Sequence, residues 1–144
     1  MWILSKKSMA NIITCHEDLQ RIILLSAKIS QVDFSITEGH RSIERQQLLF
    51  KEGKSKADGI NKKSKHTEIP SMAFDFCAVV KDKPQLAYDE KHLLYLVGIF
   101  TAAGEILLMQ KDNKYKVRSG TNWDGDGELF YDQTFWDAPH IELS

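Results

Sequence analysis

Apolar and polar residues change rhythm several times along the chain, and each change predicts an element. Leu19, Ile22, Ile23 and Ala27 recur at helical spacing behind Thr14-Cys15-His16-Glu17, which has the Ser/Thr-x-x-Glu form of a capping box. They predict a helix over about 15–29, with Cys15 and His16 in structural roles at its start. Asp33-Phe34-Ser35-Ile36-Thr37 alternates with a period of two and predicts a strand, which Glu38-Gly39-His40-Arg41-Ser42 ends. Ser42 can cap a second helix running to about Glu52, with Ile43, Gln46, Gln47 and Phe50 on one side and Gly53 as its stop.

From Lys54 to Lys65 there is no apolar period, so a loop is expected. Met72 to Val80 predicts a buried strand with Ala73, Asp75, Cys77 and Val79 on one face. Lys81 to Tyr88 is a loop. Asp89 caps a third helix, whose stripe of Leu93, Leu96, Val97 and Phe100 ends near Gly104. Ile106 to Met109 and Tyr115 to Arg118 read as two short strands about the turn Lys111-Asp112-Asn113. In the closing segment, Phe135 to Leu143, a last strand is expected with His140 at its start and Asp137 on the turn just before it; Ile141 and Leu143 share one face, and His140 and Glu142 the other. This order predicts an α+β domain with a mainly antiparallel sheet and helices packed on it. The 144 residues suit a single domain, 1–144, in which 1–12 is expected to be an N-terminal extension.

Two stretches far apart in sequence carry the chemistry: Ser64-Lys65-His66 through Ala73-Phe74-Asp75, and Asp137-Ala138-Pro139-His140. Together they offer two imidazoles and two carboxylates. Catalytic zinc takes three protein ligands of these types and keeps one position open. We therefore assign His66, Asp75 and His140 as metal ligands and Asp137 as the base beside them. An unpaired carboxylate inside an apolar strand is costly, and a metal would resolve that cost for Asp75. Cys77 shares its face and is either a further ligand or, as the residue type favours, simply buried. Glu142 either orients a ligand histidine from outside or, the preferred reading, belongs to an exposed polar alternation. Asn122, Asp124 and Asp126, followed by glycine, imitate the start of a calcium loop. Gln133 stands where such a loop wants its bidentate Glu, so a turn without metal is preferred and calcium is the alternative.

The ordered set Ser-x-His, Ala-x-Asp and Asp-x-x-His resembles the zinc D-Ala-D-Ala/L-Ala-D-Glu metallopeptidases, and most closely the small phage endolysins that cut peptidoglycan stem peptides. The likeness runs from about Cys15 to Leu143. This chain departs from many members in the longer spacing between His66 and Asp75, which includes Pro70-Ser71, and in His40, where an aromatic residue is usual. The segment Trp123-Asp124-Gly125-Asp126-Gly127 also has a family-like form. The resemblance implies the compact fold of the D-Ala-D-Ala peptidase and hedgehog type. It implies Zn2+ as cofactor and cleavage between L-Ala and D-Glu by a metal-activated water. It also implies that Arg41 faces the substrate, where a guanidinium can hold a carboxylate or a developing oxyanion. A solvated arginine in a turn is the alternative for Arg41. A D,D-carboxypeptidase, a non-catalytic wall-binding module and a calcium-binding interaction protein are the competing functions.

Charge narrows the partners. Nineteen basic against twenty acidic residues argue against a general nucleic-acid binder. Lys51, Lys54, Lys56, Lys62, Lys63 and Lys65 make one loop locally basic; it is a solvated loop or a rim that attracts an anionic polymer. No apolar run is expected to span a membrane, which takes about 18 residues. Cys15 and Cys77 make no disulfide framework. Lys6 and Lys7 are not followed by an apolar region with a cleavage site. The expectation is a monomer made in a host cytoplasm that acts on the wall after release.

Overall fold

The computed structural model describes residues 3–122, 125–127 and 137–144. Among the described residues, four helices and four strands follow one another in the order α1 (Lys6–Ile12), α2 (Glu17–Ile29), β1 (Asp33–Glu38), α3 (Ile43–Lys51), β2 (Ala73–Val79), α4 (Glu90–Met109), β3 (Val117–Gly120) and β4 (Asp137–Leu143). Short 3-10 turns at Lys65–Thr67 and Pro84–Leu86 flank β2. The strands form one antiparallel sheet in the order β1-β2-β4-β3.

Alternation along β2 divides the sheet into two faces. Phe74, Phe76 and Ala78 point into the core, while Asp75 and Cys77 are half-buried on the other side. Helix α4 packs on β2, β3 and β4, and α2 packs on α4. Phe100 of α4 is the hub, in edge contact with Phe34, Phe74 and Phe76 at centroid distances of 5.0, 5.1 and 4.8 Å. Such rings contribute about 0.5–1.5 kcal/mol per pair beyond the burial itself.

Several expected boundaries move. Helix α2 starts at Glu17, because the His16 ring rather than Thr14 accepts from the Asp18 amide (3.0 Å). Residues 1–12, read as an extension, include α1, which packs on β1 and places Ile12 in the core. In α3 only Gln46 is buried, so the apolar side read from Ile43 and Phe50 faces outward. The strand expected at Ile106–Met109 is the last turn of α4. Gly104 continues that helix because a side chain there would collide with Val117 of β3. Lys111, at φ 64°, follows the helix end in the left-handed region instead of forming a hairpin turn. By length and composition α4 could cross a membrane, contrary to the expectation that no segment could. Its buried Leu93, Leu96, Val97, Phe100, Ala103 and Leu107 identify it as the core helix.

Candidate metal centre

The open face of the sheet gathers the two sequence stretches. His66 lies on the 3-10 turn before β2, and Asp75 and His140 are direct neighbours across the β2–β4 pairing. The longer spacing between His66 and Asp75 is pinned at both ends. Ser71 exchanges backbone hydrogen bonds with the Thr14–His16 segment (2.9 Å each), and the Met72 amide donates to the Lys65 carbonyl (3.0 Å). Arg41 N–H donates to the His66 carbonyl at 2.8 Å, which ties the turn to the end of β1.

The hydrogen-bond partners assign the imidazole tautomers. His66 Nδ1 faces the Gly39 carbonyl at 2.8 Å, and a carbonyl can only accept, so Nδ1 carries the proton. A side chain on Gly39 would collide with Thr14 and the Asn11 carbonyl, so this close approach needs glycine. His140 Nε2 faces Glu142 Oε1 at 2.9 Å and donates to it. Both imidazoles therefore turn their second nitrogen toward Asp75, the one that would bind a metal once it is free of a proton. His66 Nε2, His140 Nδ1 and Asp75 Oδ1 form a triangle with sides of 3.1, 3.1 and 3.3 Å.

With those nitrogens unprotonated, the three acceptors would repel one another unless a positive charge, a proton or a metal ion, sat between them. Tetrahedral ligands at the usual zinc distances are about 3.3 Å apart. The triangle has that size, so the residues fit one such ion. The same demand for positive charge shows in the proton affinities. Burial alone would lower the His140 pKa, but hydrogen bonds with Asp75 and Glu142 lift it to about 9. Burial would raise the Asp75 pKa, but His66 and His140 hold its carboxyl well below the usual range. A metal would compete with a proton for this position.

Asp137 reaches the site through a distortion. The β3–β4 register steps from Ser119↔Ile141 to Gly120↔Asp137, an irregularity that spans Ala138, Pro139 and His140 of β4. Asp137 and His140 are three residues apart and would lie on opposite faces of a regular strand. The bulge sets Asp137 in the electrostatic field of Asp75, His140, His66 and Arg41. Asp137 thus begins β4 and does not lie on the turn expected before it. A Cβ on Gly120 would overlap the Asp137 carbonyl, so the bulge also requires glycine. Burial first, and then the Asp75 charge, raise the Asp137 pKa, as suits a base.

Arg41 is buried rather than solvated, and most of its donors are engaged within the protein. Nε and Nη2 bind Glu38 at 3.1 and 2.7 Å, Nη1 binds Gln46 Oε1 at 2.8 Å, and Nη2 also lies 3.4 Å from Asp75 Oδ2. Glu38 additionally accepts from exposed Arg45 at 2.7 Å. The sequence pattern did not single out Glu38. Its position three residues before Arg41, across a turn, was the available signal. Glu142, expected to be exposed, is 4% exposed and also accepts from Arg118 Nη2 at 2.7 Å.

The other candidates stay apart. Among the described residues, the group able to hold a metal comprises His66, Asp75 and His140, without Cys77. His40 is exposed, with its ring nitrogen 3.1 Å from the Glu68 carbonyl. Of the calcium candidates, Asp124 lies outside the described residues. Asn122 Oδ1 accepts from the Gly127 amide at 3.1 Å, and Gly125 and Gly127 have positive φ, as a tight turn requires. Lys51, Lys54, Lys56, Lys62 and Lys63 are exposed in the segment that precedes the site-bearing turn, and Lys65 is half-buried.

A small antiparallel α+β domain with two imidazoles and a carboxylate converging on its open face is consistent with a metallopeptidase. The phage L-alanyl-D-glutamate peptidase family matches the chain over residues 1–144, and the chain belongs to that family. Its activity is that of an L-alanyl-D-glutamate peptidase. Among solved structures it is similar to the Serratia marcescens L-Ala D-Glu endopeptidase ChiX. The two share 24% identity and a TM-score of 0.71, over 98% of this chain and 89% of that one. A search of the curated proteins found no match.

Proposed function

We propose that this peptidase is a zinc-dependent endopeptidase of the phage endolysin type. It cuts the L-Ala–D-Glu bond inside peptidoglycan stem peptides. The observation that carries the metal assignment is the triangle of His66 Nε2, His140 Nδ1 and Asp75 Oδ1, with sides of 3.1–3.3 Å. Zinc bound there supplies Lewis acidity, which polarises a carbonyl and acidifies water.

The chain's own residues do the rest. Asp137 accepts a proton from the attacking water as its oxygen bonds to the L-Ala carbonyl carbon. It returns a proton to the leaving nitrogen as the C–N bond breaks. The products are a new carboxyl group on L-Ala and a new amino group on D-Glu. Arg41 anchors Asp75 from the side, and Glu38 and Gln46 keep the guanidinium in place. This geometry supports an indirect role for Arg41 before any direct grip on substrate. The exposed lysines of the 51–63 region would draw the acidic stem peptide toward the site. In a phage setting the enzyme accumulates in the host cell and meets the wall after release.

The test is digestion of purified sacculi by zinc-loaded protein, with and without a chelator. Turbidity should fall, new amino termini should appear on D-Glu, and chelation should stop both until Zn2+ is restored. Release of free D-Ala with intact L-Ala–D-Glu bonds would replace the endopeptidase with a carboxypeptidase.

A further inference from the structure

We propose that Glu142, held by Arg118, is a positioning residue that fixes His140 in the tautomer offering Nδ1 to the metal. The inference rests on the metal reading above and extends it outward from the ligands. A neutral imidazole carries one proton, and whichever nitrogen donates leaves the other as the ligand. For His66 the choice is made by a backbone carbonyl, that of Gly39. For His140 it is made by a side chain, because Glu142 Oε1 lies 2.9 Å from Nε2.

The arrangement follows from the strand pairing. His140 and Glu142 are two apart in β4 and share a face, so the carboxylate stands beside the ring. Arg118 lies directly opposite Glu142 in β3, and its Nη2 donates to Glu142 Oε2 at 2.7 Å. One carboxylate oxygen thus serves the imidazole and the other serves the guanidinium. Glu142 is 4% exposed, and a buried carboxylate without such partners would be costly. Arg118 balances its charge and holds its plane, so the oxygen facing His140 cannot swing away. Carboxylate partners of metal-binding histidines act in this way generally, and their loss weakens metal affinity roughly 10–100-fold.

The experiment measures Zn2+ affinity of the full chain by chelator competition, together with 15N shifts of the His140 ring in the zinc-loaded protein. Glu142→Gln should bind Zn2+ roughly 10-fold or more weakly, within the range for such partners. Glu142→Asp keeps the charge at a shorter reach and should recover part of the affinity; it also serves if the Gln variant does not fold. A purely structural role would lower the melting temperature of the metal-free protein and leave zinc affinity unchanged in both variants, which would overturn the proposal. Metal bound through Nε2 of His140 would overturn it as well. If the unsubstituted chain binds no Zn2+, the metal reading itself fails, which is a different result.

Discussion

The two faces of β2 do opposite work with alternate residues of one strand. Phe74, Phe76 and Ala78 are buried on the helix side, where Phe74 and Phe76 meet Phe100 and nothing polar is required of them. Asp75, one residue from each phenylalanine, faces two imidazoles and a guanidinium. The first face is tolerant in detail and demanding in volume. The second is demanding in atom positions and contributes little apolar burial. The period of two lets a rigid, well-packed strand carry a costly charged group without opening the core around it.

Removing both imidazoles is the most severe test of this division. His66→Ala combined with His140→Ala should abolish zinc binding and peptidase activity, while far-ultraviolet circular dichroism stays that of the folded domain. Zinc bound undiminished would end the ligand assignment. On the other face, Phe76→Ala should cost about 3–5 kcal/mol, measured by urea unfolding of the metal-free protein. That is a large share of a typical domain's stability. The folded fraction should still bind one zinc per chain; loss of stoichiometry would mean the faces are not separable.

Asp137→Asn should be milder and more selective. Zinc content should stay near one per chain while turnover falls about 100-fold, as for removal of a general base. Loss of zinc instead would make Asp137 a ligand. The smallest effect belongs to Cys77→Ser, two residues beyond Asp75 on the same face. Stability should change by no more than about 0.5 kcal/mol, and zinc content and turnover should not change. A drop in zinc content would restore Cys77 as a ligand.

The division also decides what could be read from the sequence. The helix-side positions announce themselves, because burial selects apolar residues at a fixed period; α2, β1, β2 and the start of α4 were legible for that reason. The three converging donors were legible through residue type and order. What escaped depends on contacts between distant segments. Gly104 looks like a helix stop until Val117 is placed against it. Asp137 looks like a turn residue until the β3–β4 register step brings it to the site. The pairing of Arg41 with Glu38 and Gln46 could not be read, because it is formed only when the turn and α3 close around the guanidinium. Glu142 was read as exposed, with orienting a ligand histidine as the alternative, because polar alternation in a last strand looks the same whether solvent or Arg118 covers it.

The direct pairing of Asp75 with His140 has a consequence for errors in folding. A slip of β4 by one residue would turn His140 and Glu142 toward the helices and expose Ile141 and Leu143, which are now fully buried. The same slip would pull one ligand out of the triangle and strand a buried carboxylate. Strand register therefore acts as an interlock: a chain that mispairs its sheet is inert, and hydrolytic power arises only in the alignment that also closes the core.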